Sequence, residues 1–198
     1  IALARESVEK NPEWADYYDL PLAIGYAQTG RAEESIKLLF QSIAKDINVA
    51  EAYYNLGLLY KNSGDPGRAV DCFNKALESD PCFAPAYYGL GVVEHDRGEF
   101  KKAIGYYRKA ILFDGANAAL YNDLASACFS IRQYRQAIAY GRKAVEIRPD
   151  FASAFYNLAL FYYSLHQEKE AIQFCDKATV LGYVVDPELL KKLEPYRK

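Results

Sequence analysis

Residues 50–83, 84–117, 118–151 and 152–185 are four consecutive copies of one 34-residue pattern. Counting from the first residue of each copy, the seventh place holds Leu56, Leu90, Leu124 and Leu158. The eighth holds Gly57, Gly91, Ala125 and Ala159. The twentieth place is alanine in every copy (Ala69, Ala103, Ala137, Ala171), and so is the twenty-seventh (Ala76, Ala110, Ala144, Ala178). A period in this range constrains the fold more than any composition can. It describes an array of stacked supersecondary units, each burying its apolar side against its neighbours.

Each unit reads as two helices. In 50–63, apolar residues at 53, 56, 57 and 60 share one helical face, and in 66–79 so do 69, 73, 76 and 77. Gly64-Asp65-Pro66 between them supplies a left-handed cap for the first helix, a side-chain cap for the second and a proline suited to its first turn. Small residues at the eighth, twentieth and twenty-seventh places let helix backbones approach closely. A larger side chain there costs about 1–3 kcal/mol by overpacking. In the last two units the turn glycine becomes Arg132 and His166, where those turns are expected to be slightly remodelled.

The residues resemble the tetratricopeptide-repeat family. Tyr53, Leu56-Gly57, Tyr60, Ala69, Phe73, Ala76 and Pro81 stand at that family's spacing. The frame extends back over 16–49 through Leu22, Ala23, Tyr26 and Gly30, with Ser35 and Ser42 in place of the alanines and Ile47 in place of the proline. Residues 1–15, with Ser7 and Pro12, look like the C-terminal half of a leading repeat. The resemblance implies an all-α, right-handed α-solenoid of antiparallel helix pairs. Its parts are a half-unit (1–15), repeats at 16–49, 50–83, 84–117, 118–151 and 152–185, and a C-terminal capping helix (186–198). In that helix Asp186-Pro187-Glu188 starts the element and Leu189, Leu190 and Leu193 form its apolar stripe. The ending looks similar to bacterial chains of the family.

A net charge of −2 argues against a general nucleic-acid binder, which needs a basic stripe. No run of about 18 apolar residues is present to span a membrane. The chain begins at Ile1 and contains no methionine, so it reads as a fragment. The cysteines (Cys72, Cys82, Cys128, Cys175) form no C-x-x-C pair and are expected to be free thiols, which favours a reducing, cytoplasmic location. No phosphate loop, nucleophile elbow or metal-ligand spacing is present, so a non-enzymatic protein without cofactor or metal is expected. Glu94 occupies the place of Tyr60 and Tyr162. It is either an acid/base group or, more simply, a carboxylate paired with a nearby Arg, Lys or Tyr.

A second stripe on each first helix uses the second, fifth, ninth and twelfth places. In a tetratricopeptide array this stripe faces the concave groove. It carries Leu20 and Ile24, then Tyr54, Leu58 and Lys61, then Tyr88, Val92 and His95. Asn122, Ser126 and Phe129 follow, then Tyr156, Leu160 and Tyr163. The Lys-Asn-Arg clamp that family members use for chaperone C-terminal carboxylates is absent. The asparagine ladder of glycosyltransferase-type arrays, at the sixth place, is broken: Pro21, Asn55, Gly89, Asp123 and Asn157 stand there. The expected function is a protein-interaction scaffold holding a peptide or helix of a partner in the groove. Apolar burial comes from Tyr54, Leu58, Tyr88, Val92, Tyr156, Leu160 and Tyr163, and orientation from Asn55, Asn122, Asp123 and Asn157. Two alternatives are a recruiting or regulatory arm of a larger enzyme, such as a glycosyltransferase, and self-assembly as a homo-oligomer through the end helices.

Overall fold

The structure, a computed structural model, describes residues 10–11 and 15–197. The leading half-unit expected over residues 1–15 therefore falls almost wholly outside it. Among the described residues from Ala15 on, eleven α-helices and a short 3-10 turn follow one another, and every regular element is helical. The helices are α1 (Ala15–Gln28), α2 (Ala32–Ala44), α3 (Val49–Asn62), α4 (Pro66–Ser79), α5 (Ala84–Asp96) and α6 (Phe100–Phe113). Then come α7 (Ala118–Ser130), α8 (Tyr134–Ile147), α9 (Ala152–Tyr163), α10 (Glu168–Val180) and α11 (Pro187–Leu193). Contacts divide the chain into two compact units, Ile1–Val93 and Glu94–Lys198.

In the first unit α1 packs on α2, α2 on α3 and α3 on α4. Its core gathers Ala23, Leu39, Ala52, Leu56 and Cys72, with Ile36, Tyr53 and Tyr60 against them. Ser35 and Ser42, at places that hold alanine in the other repeats, are fully buried. The Ser35 hydroxyl donates to the Ala23 carbonyl at 2.7 Å. The Ser42 hydroxyl has no hydrogen-bond partner among the described residues. Where this repeat lacks its proline, the loop turns through positive φ at Asp46 (58°) and Asn48 (49°), residue types that tolerate the left-handed region best after glycine.

In the second unit α7 packs on α6 and α8, and α9 on α8 and α10. Every alanine at the twentieth and twenty-seventh places of the four consecutive repeats has 0% exposure, as the close-packing argument requires. Leu189 and Leu193 of α11 are buried, and α11 packs on α10. Side-chain caps stand at the Asp65 and Asp186 helix starts read from the sequence and also at Asn117. The Asp65 side chain accepts from the Arg68 amide at 2.9 Å, Asn117 from the Leu120 amide at 3.1 Å, and Asp186 from the Glu188 amide at 2.9 Å.

The remodelling expected at Arg132 and His166 does not occur. Both residues keep the left-handed conformation of the glycines they replace, with φ of 62° and 56° against 81° at Gly64. The reason is the helix-ending hydrogen-bond pair. The Arg132 and Gln133 amides donate to the Phe129 and Cys128 carbonyls at 2.8 and 2.9 Å. Those of His166 and Gln167 donate to Tyr163 and Tyr162 at 3.0 and 3.1 Å. Two satisfied carbonyls per turn outweigh a conformational cost of about 1 kcal/mol.

The four cysteines are free thiols. Cys72, Cys128 and Cys175 are buried and Cys82 is exposed. Burial pushes the three buried thiols above the usual thiol range.

Candidate functional site

The second-stripe residues divide by what they touch. In the first unit Tyr54 lies between two rings, 5.8 Å from Phe73 of α4 and 5.8 Å from Phe83 in the loop that ends the repeat. Burial raises its phenol pKa above the usual value. The Asn55 amide donates to the Glu51 carbonyl of its own helix at 2.8 Å. Tyr54 is therefore a packing residue, and Asn55 is turned back onto α3. Leu20, Ile24, Leu58, Lys61, Tyr88 and Val92 are half-buried.

In the second unit His95 meets Phe100 edge-on at 5.2 Å. Its Nε2 is buried without a hydrogen-bond partner among the described residues. The preceding Glu94 carboxylate accepts from Arg97 at 2.8 Å, with Lys102 at 3.9 Å. The carboxylate is thus paired with basic neighbours, the simpler of the two readings of this position. Phe129 packs 4.8 Å from Phe161 and 5.3 Å from Tyr134. Tyr156 stacks on Tyr183 at 4.7 Å, the planes 26° apart, and burial again raises its phenol pKa, with the Asp186 carboxylate adding to the effect.

The polar residues of α7 and α9 do come together. Asn157 Nδ2 donates to Asn122 Oδ1 at 2.9 Å and lies 3.4 Å from Ser126 Oγ. Asn122 Nδ2 lies 3.4 Å from Asp123 Oδ1, and Asn122 is only 9% exposed. Both amide hydrogens of Asn157 are thus used inside the protein, which fixes the side chain and leaves its carbonyl oxygen as the remaining acceptor. Beside it on α9, Leu160 and Tyr163 are half-buried. The Tyr163 side chain makes no hydrogen bond or ring contact among the described residues.

The amide pairing was not visible at a single place of the repeat, because it joins the sixth place of one copy to the fifth of the copy before. Nor did the frame point to Tyr183. Phe83 closes over Tyr54 from the thirty-fourth place, whereas Tyr183 closes over Tyr156 from the thirty-second, and the thirty-fourth there is the buried Val185. Among the described residues no group of three or more His, Cys, Asp or Glu side chains is placed to hold a metal ion, and no helix is long and apolar enough to cross a membrane.

Tetratricopeptide-repeat family models match residues 50–81, 84–117 and 118–151, and 140–173. The chain belongs to the tetratricopeptide-repeat family. Its all-helical fold of paired repeats is shared with solved structures of that type. A MamA crystal structure is 26% identical, with a TM-score of 0.70 over 80% of this chain and 93% of that one. MamA residues 41 to the end from Desulfovibrio magneticus RS-1 are 24% identical, with a TM-score of 0.71 over 84% and 94%. The pilF protein of Pseudomonas aeruginosa is 19% identical, with a TM-score of 0.82 over 93% and 85%. These likenesses are likenesses of fold. No curated protein matches the chain significantly. Tetratricopeptide repeats of this kind are protein-interaction scaffolds, typically non-catalytic.

Proposed function

We propose that this scaffold is non-enzymatic and binds a peptide segment of a partner protein along the second stripe of α7 and α9. The observation that carries the reading is the fixed amide of Asn157. Its orientation is set by Asn122 and Ser126 at 2.9 and 3.4 Å, so its carbonyl can accept a backbone N–H without first losing side-chain freedom. Leu160 and Tyr163 flank it on the same helix and offer half-exposed apolar surface. A fixed amide acceptor can hold a peptide main chain, and a half-exposed tyrosine on the same helix can bury one of its side chains.

The anchoring residues differ from the first expectation in one respect. Tyr54 and Tyr156 already pack against rings of their own unit, so their truncation tests stability as much as binding. Tyr163 is the residue to change. Full-length chain is used to select peptides from a display library, and the affinity of an enriched peptide is then measured by fluorescence anisotropy. Tyr163→Ala should weaken binding about tenfold or more, the loss typical of a central aromatic anchor, with an unchanged melting curve. Failure to enrich any peptide, or equal affinity in the variant, refutes the proposal.

A further inference from the structure

The whole-chain charge of −2 conceals a segment of opposite sign. Residues 97–148 carry ten Lys and Arg against four Asp and Glu. The excess lies on the outward stripes of two second helices. On α6 the exposed places 101, 102, 105, 108, 109 and 112 are Lys, Lys, Gly, Arg, Lys and Leu. On α8 the same places of the next repeat are Arg135, Gln136, Ala139, Arg142, Lys143 and Glu146. The one acid among these twelve places, Glu146, is paired with Lys143 at 2.8 Å; beside them Lys102 faces Glu99 at 3.6 Å and Glu94 at 3.9 Å, and Arg142 donates to the Tyr162 hydroxyl at 2.8 Å. Arg108 reaches Gln136 at 3.4 Å, which brings the two stripes side by side. Other repeats do not do this: the stripe of α10 reads Lys169, Glu170, Gln173, Asp176, Lys177 and Val180, with signs balanced.

Two further features mark the face. Gly105 and Ala139 sit mid-stripe, and a Cβ added at Gly105 would meet nothing within 4 Å, so the middle of the α6 stripe is low and open. At its end Leu112 is 78% exposed and Phe113 46%, with Leu112 on the same helical side as Lys101, Arg108 and Lys109. A shallow basic surface carrying a protruding apolar side chain matches the interface of an anionic bilayer. The cations meet the headgroups, and Leu112 enters the acyl boundary. An acidic peptide or an oligonucleotide would use the charge but leave Leu112 in water.

We infer that the outward face of α6 and α8 docks the protein on anionic lipid headgroups. This docking goes beyond the peptide surface proposed above and stands or falls separately from it, because Tyr163 and Asn157 take no part in it.

The test is flotation of the full chain with vesicles of phosphatidylcholine alone or mixed equally with phosphatidylglycerol. Binding is expected only to the mixed vesicles. It should be lost as salt rises from about 0.1 M to about 1 M, where screening shortens from about 10 Å to about 3 Å. The double variant Lys101→Glu/Arg108→Glu should bind about tenfold or more weakly. Leu112→Ser should bind several-fold more weakly, and Lys177→Glu on α10 should bind as the parent does, all with unchanged melting curves. Equal binding to neutral and mixed vesicles, or none to either, overturns the inference. So does capture of poly-glutamate or an oligonucleotide with the same affinity in Leu112→Ser.

Discussion

One chemical change, Gly→Ala, should move stability in opposite directions at two helical positions of this chain. Phe73 is fully buried, its ring held between Gly57 of α3 and Gly89 of α5. A Cβ at Gly57 would stand 2.5 Å from Phe73 Cε1, and one at Gly89 would stand 2.7 Å from Cζ. Comfortable carbon–carbon contact is about 3.5–4.0 Å. The ring cannot swing away from one glycine without meeting the other, and Tyr54 lies 5.8 Å off. Overpacking of this kind costs about 1–3 kcal/mol, while alanine returns about 1 kcal/mol of helix propensity. Gly57→Ala should therefore destabilise by up to about 2 kcal/mol. At Gly105 a Cβ meets nothing, so only the propensity gain of about 0.5–1 kcal/mol remains. For a chain of this length each kcal/mol moves Tm by about 2–4 °C. Thermal and urea unfolding followed by circular dichroism should show Gly57→Ala melting below the parent and Gly105→Ala above it. In a Phe73→Leu background the ring is gone, and Gly57→Ala should become neutral or stabilising. If Gly57→Ala stabilises as Gly105→Ala does, or its cost survives the loss of the ring, the close approach is not what selects glycine there.

Three other outcomes follow from the packing and turns. Ser42→Ala removes a buried hydroxyl without a partner among the described residues and should stabilise the first unit by about 1 kcal/mol. Ser35→Ala, which forfeits a 2.7 Å bond to Ala23, should not stabilise, and urea midpoints compare the two. Arg132→Gly and His166→Gly should each raise stability by about 0.5–1 kcal/mol, because both positions hold a left-handed conformation that glycine adopts freely; a lowered Tm would contradict this. Titration of the native chain with an aromatic disulfide reagent should label Cys82 promptly and Cys72, Cys128 and Cys175 only on unfolding, since those thiols are buried and held protonated. Prompt reaction of a second thiol would be the contrary result.

Most of the fold was legible because the 34-residue period ties each residue to a place whose environment repeats. The helices read from 50–63 and 66–79 are observed at Val49–Asn62 and Pro66–Ser79. The turns at Arg132 and His166 are not legible from a single-residue preference alone. The deciding contribution is the pair of backbone hydrogen bonds that the left-handed residue completes, and these do not depend on the side chain.

The candidate site was less legible, for a reason built into repeats. The fifth place is a groove position by its angle on the helix, yet loop residues at the end of the same repeat can reach it. Phe83 does so at Tyr54 and Tyr183 does so at Tyr156, from different places. In both cases a ring outside the tyrosine's own helix packs against it. Tyr163 stands farther along α9 and makes no ring contact among the described residues. The same argument explains Asn157. A ladder sought at one place looks broken, but an amide one helix away at the neighbouring place, Asn122, completes the pair at 2.9 Å. Availability in a repeat array is thus a property of two adjacent copies and the loop between them. It is at such junctions that otherwise similar repeats can acquire different ligands.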